Sequence, residues 1–446
     1  MLDLRPLRSA SFRRLTASLW INEAGNAIGE VALALLVYDR TGNPLAPAAL
    51  FLTLRVLPAT LAPLLTTYVE AMRPRLVLAT IYVLEAALFA GVAAVTHHFS
   101  LPIVLALVAI DGVLAIASAT LMRSAITNNL MAGDLLREGN GLVNIGTMVA
   151  FAAGPVTAGA VIAWHGVSTA LLMDSASFLI AALVMVSARG VHIASDSEAG
   201  AKGRFKAGAA VVRTRQTVRR LFVAITLTIG VGSVAVPIEV VFAQTTLHAG
   251  SSGYGFLLTS WGIGMIVGGA VFALAPDVRL MLMLGCSSAL VALGYGGLAL
   301  SPTLAVACAF SFIGGSGNGA AWVAAMTAIQ EQIPLNAQSV VMSMLYGLNQ
   351  VIPGIGFVVG GVVTSLWSPR IAYAISAVGT GLAVLTFVIK PIHRVQLAAP
   401  PEDPPRPAEN LPPGPMTPPP LAGGEADPQE KRTIRRSSDD RSRVAR

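Results

Sequence analysis

Trp20 to Tyr38 reads WINEAGNAIGEVALALLVY, a run apolar enough to lie in a membrane yet interrupted by two carboxylates, Glu23 and Glu30. At about 100° per residue, Asn22, Glu23, Asn26 and Glu30 fall at about 0°, 100°, 40° and 80° of one helix, while Ile21, Ala24, Ile28, Val31 and Leu35 gather near about 180° to 260°. The spacing predicts one polar face and an opposite face suited to lipid. A charged side chain at bilayer depth costs at least about 2.5 kcal/mol, so such residues face a bundle interior or a water-filled cavity. This helix is expected to line something.

The rest of the chain supplies the surroundings. Its 446 residues are 54% hydrophobic and 12% charged, with a mean hydropathy of +0.69, against roughly 25% charged residues in soluble domains. Runs long enough for spanning helices, which need about 20 apolar residues each, separate at about 14–38, 46–69, 76–96, 102–122, 142–163, 168–188, 219–243, 254–275, 280–300, 303–327, 340–366 and 370–390. The chain therefore reads as an all-α integral membrane protein of twelve transmembrane helices. Residues 1–189 form a first six-helix bundle, 190–217 a polar connector, 218–391 a second bundle, and 392–446 a Pro-rich, charged tail expected to be disordered. Lys and Arg in alternate connections number seventeen on one side and two, Arg40 and Arg370, on the other. The positive-inside rule then puts both termini and the tail in the cytoplasm of a plasma-membrane protein.

Several function classes fall away. The net charge of +7 follows the membrane topology, and no loop interleaves basic residues with aromatics as a nucleic-acid groove would. There is no Gly-Lys dipeptide for a phosphate-binding loop and no HExxH helix, so no nucleotide, metal or other cofactor is expected, nor enzymatic activity. Cys286 and Cys308 lie within apolar runs and read as small packing residues.

The halves echo each other at an offset near about 200 residues, with Gly154-Pro155 and Gly159 matching Pro353-Gly354 and Gly360-Gly361, a parallel-repeat pattern of one large transporter fold. Specific stretches resemble the drug and siderophore exporter branch of the major facilitator superfamily, which includes enterobactin and macrolide exporters. They are Phe12-Arg13-Arg14-Leu15, Ala32 to Tyr38 with Thr41-Gly42-Asn43-Pro44, Leu54-Arg55-Val56-Leu57-Pro58, Gly154-Pro155-Val156-Thr157-Ala158-Gly159, Ser175-Ala176-Ser177-Phe178-Leu179 and Gly314 to Gly319. The resemblance implies two six-helix bundles, a major facilitator fold, rocking about a central cavity lined by the first, fourth, seventh and tenth helices. It also implies a cytoplasmic charge latch after the second helix. Here Glu70, Arg73 and Arg75 occupy that loop with Ala71 where the family has arginine, and Asp277 and Arg279 preserve part of the counterpart in the second half.

Ionisable residues inside the runs are Glu23, Glu30, Arg55, Glu85, Asp111, Asp174 and Glu239, with Arg123 near one helix end. An excess of acids is what a proton-coupled exporter, or a carrier of cationic compounds, requires. Glu30 and Arg55 share a depth of about 12 Å below the outer membrane edge, reckoned at about 1.5 Å per residue, so they are placed to touch. Glu23 has no obvious local cation and is the candidate proton site, with Asn26 beside it. Asp111 is expected on the cavity, Arg123 in substrate or proton-relay work, and Glu239 at the exit. Glu85 and Asp174 read as structural. Gly154, Pro155 and Gly159 are expected at the bundle interface. The reading is a monomeric, proton-coupled antiporter for efflux of a small amphipathic or cationic compound, with lipid, protons and that compound as its partners. A non-transporting protein acting through its tail, or an uptake carrier of the same fold, remains open.

Overall fold

The computed structural model describes residues 4–59, 74–131, 135–188, 212–214, 216–274, 280–333, 341, 344–345 and 347–388. Every regular element among them is helical. In chain order the helices of the first half are α1 (Ala10–Thr41), α2 (Leu45–Ala59 as described), α3 (Pro74–Val95), α4 (Leu101–Met131), α5 (Leu136–His165) and α6 (Val167–Ser187). The second half holds α7 (Val218–Thr246), α8 (Gly250–Leu274), α9 (Leu280–Leu300), α10 (Leu304–Gln332), α11 (Gly347–Leu366) and α12 (Pro369–Val388). Nine of the described helices are long and apolar enough to cross a membrane on length and composition alone. The architecture is the all-α, two-bundle arrangement expected. The connector and tail lie outside the described residues for most or all of their length.

Local chemistry sets the ends. Ser9 caps α1 by accepting from the Phe12 amide, and Gly42, at φ +60°, closes it in the left-handed conformation that glycine adopts without strain. Arginines finish other helices by donating to the carbonyls that a C-terminus leaves unpaired, where cations also suit the helix dipole. Arg14 donates to Ser187 O and Arg75 to Val186 O at the end of α6, while Arg370 donates to Ala299 O and Ser301 O, at 2.7 and 2.8 Å, at the end of α9. Arg75, expected in a gate, thus ties α3 to α6 within the first half.

The bundles close by backbone contact. A Cβ at Gly268 would lie 1.8 Å from Ser316 O, and one at Gly315 2.1 Å from Trp261 O, so α8 and α10 meet almost spine to spine. The outward surface remains apolar, with Leu183, Leu293, Val378 and Leu382 all exposed. On a water-soluble monomer so much exposed apolar surface would be anomalous; against lipid it is the expected solvent-facing surface.

Two helices depart from regular α geometry. In α2, a π-turn runs from Leu52 to Val56, immediately before Pro58, which lacks the amide that would bond the Leu54 carbonyl. In α7, a 3-10 stretch, Ser233–Ile238, contains Pro237, and a π-turn follows at Phe242–Thr246. Arg55 lies on the first irregular segment and Glu239 directly follows the 3-10 stretch of the second.

Adjacent glycines on α8 give a test of the backbone contact. Gly268→Ala should lower the unfolding midpoint, by about 1–3 kcal/mol of overpacking, because its Cβ meets the Ser316 carbonyl. Gly269→Ala meets only Val323, at 3.9 Å, and should be neutral or stabilising by up to about 1 kcal/mol through helix propensity. Thermal unfolding in detergent of both variants checks the difference in sign.

Candidate functional site

The stretch that carries Glu23 and Glu30 is the most enclosed helix of the first half. No residue from Trp20 to Tyr38 is exposed, and α1 packs on α2, α4, α5 and α6, and on α7 of the other half. The expected lipid face does not exist. Val31 is 2% and Leu35 0% exposed, because the apolar side of α1 serves as core for its neighbours. The polar face also divides. Asn22 is buried on a strip with Ser18, Gly25 and Gly29 that faces α6, whereas Glu23, Asn26 and Glu30 stay half-open. Residues 18, 22, 25 and 29 recur at helical spacing, and that small-residue strip was the available signal for a second buried face.

Glu30 and Arg55 come together. Arg55 Nη2 donates to both Glu30 carboxylate oxygens, at 2.8 and 3.0 Å. Deep in the molecule, the two side chains still keep 34% and 41% of their surface open, which marks them as part of a cavity wall. Glu23, two turns toward the termini, makes no ion pair or hydrogen bond with a described residue. It is nevertheless not remote from cations. Arg123 of α4 and Arg55 are both its electrostatic neighbours, Arg123 the stronger. The expectation of no local cation is corrected to that extent; α4 brings Arg123 to the same side of α1, which one-dimensional spacing does not disclose.

Glu239 reaches this group from the second half. It is an electrostatic neighbour of Glu30, and Tyr254 of α8, Tyr295 of α9 and Tyr373 of α12 are gathered near it. Trp261 stacks on Tyr295, with ring centroids 5.3 Å apart, and Tyr295 on Tyr373, at 6.3 Å. Tyr254 and Trp261 do not present a free aromatic surface to the cavity. They are 2% and 9% exposed and form the packing behind Glu239.

Two seams join the halves. On one, a Cβ at Gly159 would lie 2.9 Å from Ser251 O, and one at Gly255 2.5 Å from Pro155 O, so α5 and α8 touch at the glycine-proline run. On the other, Gly354 meets Val56 and Leu52 of α2, and Gly361 meets Ala48. The seams exchange α5 for α11 and α8 for α2, the relation expected of two parallel repeats. Gly154 instead packs on Ala27 of α1, inside the first half. These contacts lie at mid-height or toward the side away from the termini. On the terminal side of the seams Arg123 is exposed and Glu23 half-open, so the polar groups there face open space.

Asp111, expected on the cavity, is 5% exposed and sits inside the first bundle beside Glu85. The cause is the α2–α4 contact: a Cβ at Gly112 would lie 2.5 Å from Pro58 Cγ and 2.8 Å from Leu54 O, which turns the preceding residue away from the central space. Neither oxygen of Glu85, which reads as structural in the sequence, has a hydrogen-bond partner among the described residues, with the Ser118 hydroxyl as its neighbour. Glu70, Arg73, Asp277 and Arg279, the rest of the expected gate, lie outside the described residues. No group of three or more His, Cys, Asp or Glu among the described residues is arranged to hold a metal ion.

The chain is thus an all-helical membrane-type protein with enclosed acids along the seam between its two halves. The family model described as Major Facilitator Superfamily matches residues 220–437. A search of curated protein sequences finds no match. Among solved structures, the nucleoside transporter NupG is 13% identical with a TM-score of 0.69, covering 85% of this chain and 99% of its own. A bacterial homologue of the iron transporter ferroportin in an inward-facing state is also 13% identical, with a TM-score of 0.68, covering 85% of this chain and 98% of its own. The human organic anion transporter MFSD10 is 14% identical, with a TM-score of 0.54, covering 85% and 100%. The family model thus covers 218 of the 446 residues, just under half of the chain, and the solved structures share its fold.

The Glu30–Arg55 pair makes a quantitative expectation. Exposed ion pairs contribute about 0.2–1 kcal/mol and breaking a fully buried pair costs about 3–5 kcal/mol; discounted for its open surface, this pair should show a coupling of about 1–2 kcal/mol. Arg55→Gln should lower the unfolding midpoint more than the Glu30→Gln/Arg55→Gln double variant does. A double-mutant cycle by thermal unfolding measures it, and additivity of the single changes would contradict the contact.

Proposed function

We propose that the protein is a proton-driven exporter of a small amphipathic or cationic compound, of the drug and siderophore exporter branch, working by alternating access. The observation that carries this reading is the charge count at the seam. Three acids, Glu23 and Glu30 from α1 and Glu239 from α7, stand near two cations: Arg55, which is committed to Glu30, and Arg123, which neighbours Glu23 without forming an ion pair with it. The acid without a direct partner, Glu23, faces the open side. A carboxylate there gains from either a proton or a cationic group, and the two exclude each other. Mutual exclusion at one carboxylate is the simplest chemistry of antiport.

Glu30 and Glu239 sense each other only where α1 and α7 meet on the side away from the termini. Their repulsion falls when one of them is neutralised, so a proton arriving from that side would favour closure there and opening on the terminal side. The seventeen-to-two charge asymmetry supports cytoplasmic termini in the plasma membrane, hence proton entry from outside and substrate release to outside. The similar structures include transporters of nucleosides, iron and organic anions. They do not select one substrate here; the acidic cavity wall favours a cation.

Accumulation of cationic dyes inside everted vesicles, the equivalent of export from the cell, tests this. Transport should require the proton gradient, and Glu23→Gln should abolish gradient-driven accumulation while leaving energy-independent exchange of the dye measurable. Accumulation indifferent to the gradient, with full activity in Glu23→Gln and Glu30→Gln, would sink the reading.

A further inference from the structure

Beside the buried strip of α1, turned about a third of a revolution from Glu23 and Glu30, three carboxyl groups lie near one another inside the first bundle. Glu85 of α3, Asp111 of α4 and Asp174 of α6 are 1%, 5% and 0% exposed. Glu85 is an electrostatic neighbour of both aspartates, and Asp174 of Asp111. Both Glu85 oxygens, Asp111 Oδ1 and Asp174 Oδ2 have no hydrogen-bond partner among the described residues. Asn22 Oδ1, buried on the α1 strip between Ser18 and Gly25, is equally unpartnered. No described cation forms an ion pair with any of the three acids.

The hydroxyls around the group discriminate between its charge states. Each serine has one hydrogen to give. Ser118, beside Glu85, donates to Ala115 O; Ser175 donates to Ala86 O; and Ser18 donates to Ala181 O. Ser177 donates at 2.8 Å to the backbone carbonyl of Asp174 and at 3.3 Å to Asp174 Oδ1. Most of these hydrogens go to the main chain, with Ser118 lying beside Glu85 and Ser177 shared with Asp174 Oδ1, so the acids meet few donors and several acceptor oxygens. A carboxylate needs donors or a cation and finds almost neither; a carboxylic acid brings its own hydrogen and finds acceptors.

We propose that Glu85, Asp111 and Asp174 form a proton-binding cluster within the first bundle, separate from the carboxylates of the cavity wall. The ligand is the proton itself. The other titratable groups facing the cluster are Tyr82, one turn before Glu85 on α3, and Glu23 of α1, which Tyr82 senses together with Glu85. Tyr82 thus stands between the cluster and the cavity. The cluster also bears on α1 mechanically. A Cβ at Gly25 would lie 2.5 Å from Asp174 Oδ1, and one at Gly29 1.9 Å from Asp174 Oδ2, so the Asp174 carboxyl rests directly on the α1 backbone. Charge appearing there would be unscreened against the helix that carries Glu23 and Glu30.

Infrared titration of the full chain in lipid nanodiscs, without substrate or gradient, tests the cluster independently of any transport reading. The expected result is a set of protonated-carboxyl C=O bands that persist at neutral pH, shift in heavy water, and diminish stepwise in Glu85→Gln, Asp111→Asn and Asp174→Asn. Glu23→Gln should leave these bands in place. The amide variants mimic the neutral acid, so their unfolding midpoints should stay within a few degrees of the parent. Identical protonated-carboxyl bands in the parent and the triple variant, or severe destabilisation by the amide changes, would show the groups ionised and overturn the proposal. Disappearance of the bands on adding sodium or potassium chloride at fixed pH would also overturn it, in favour of a metal-cation site.

Discussion

A charge without a partner in a low-dielectric interior is the condition from which the rest of this structure follows. The first half places five acids, Glu23, Glu30, Glu85, Asp111 and Asp174, where a lipid-spanning bundle would ordinarily hold none. Only one of them forms a direct ion pair among the described residues. The others must be served by open water, by a proton or by a bound cation. The structure sorts them: Glu23 and Glu30 keep contact with open space, and the other three are sealed behind α1. One helix therefore separates two polar environments of different kind.

That separation depends on how closely helices approach. Glycine strips bring α6 onto the back of α1, α8 onto α10, and the two halves onto each other along α5/α8 and α2/α11. Inter-helix contact of this sort gains from packing and not from expelling water, since lipid is as apolar as the side chains. It also leaves no slack. Beside the seams, α2 and α7 carry their proline-associated irregular turns. These turns are relieved of regular hydrogen bonding, and they carry or adjoin the charges Arg55 and Glu239.

The sequence discloses the fold readily, because twelve apolar runs and one polar connector are one-dimensional signals. It also discloses the Glu30–Arg55 contact, since depth in a membrane is linear in residue number and two adjacent antiparallel helices share a scale. Rotation about the helix axis is less accessible. The polar residues of α1 span an arc wide enough to serve two faces, and hydrophobicity alone joins Asn22 to Glu23 when the packing of α6 parts them. Asp111 was misplaced for the same reason: its depth is right, but its azimuth is set by Gly112 pressing on Pro58. Glu85 and Asp174 looked structural singly, and only their convergence from α3 and α6 makes them a cluster. The Arg123 neighbourhood of Glu23 likewise comes from inter-helix rotation.

Two carboxyl groups on different faces of one rigid helix are not independent even when they never touch. α1 is enclosed along its central length, so it cannot shift toward lipid to relieve a new charge on either face. A change at Asp174 must be met by displacement of α1 relative to α6, and displacement of α1 moves Glu30 against Arg55 and, across the seam, against Glu239. The enclosing contacts that deny α1 a lipid face thus also make it a mechanical link between the sealed acids and the open ones. The same sequence on a helix free to roll would leave the two environments uncoupled.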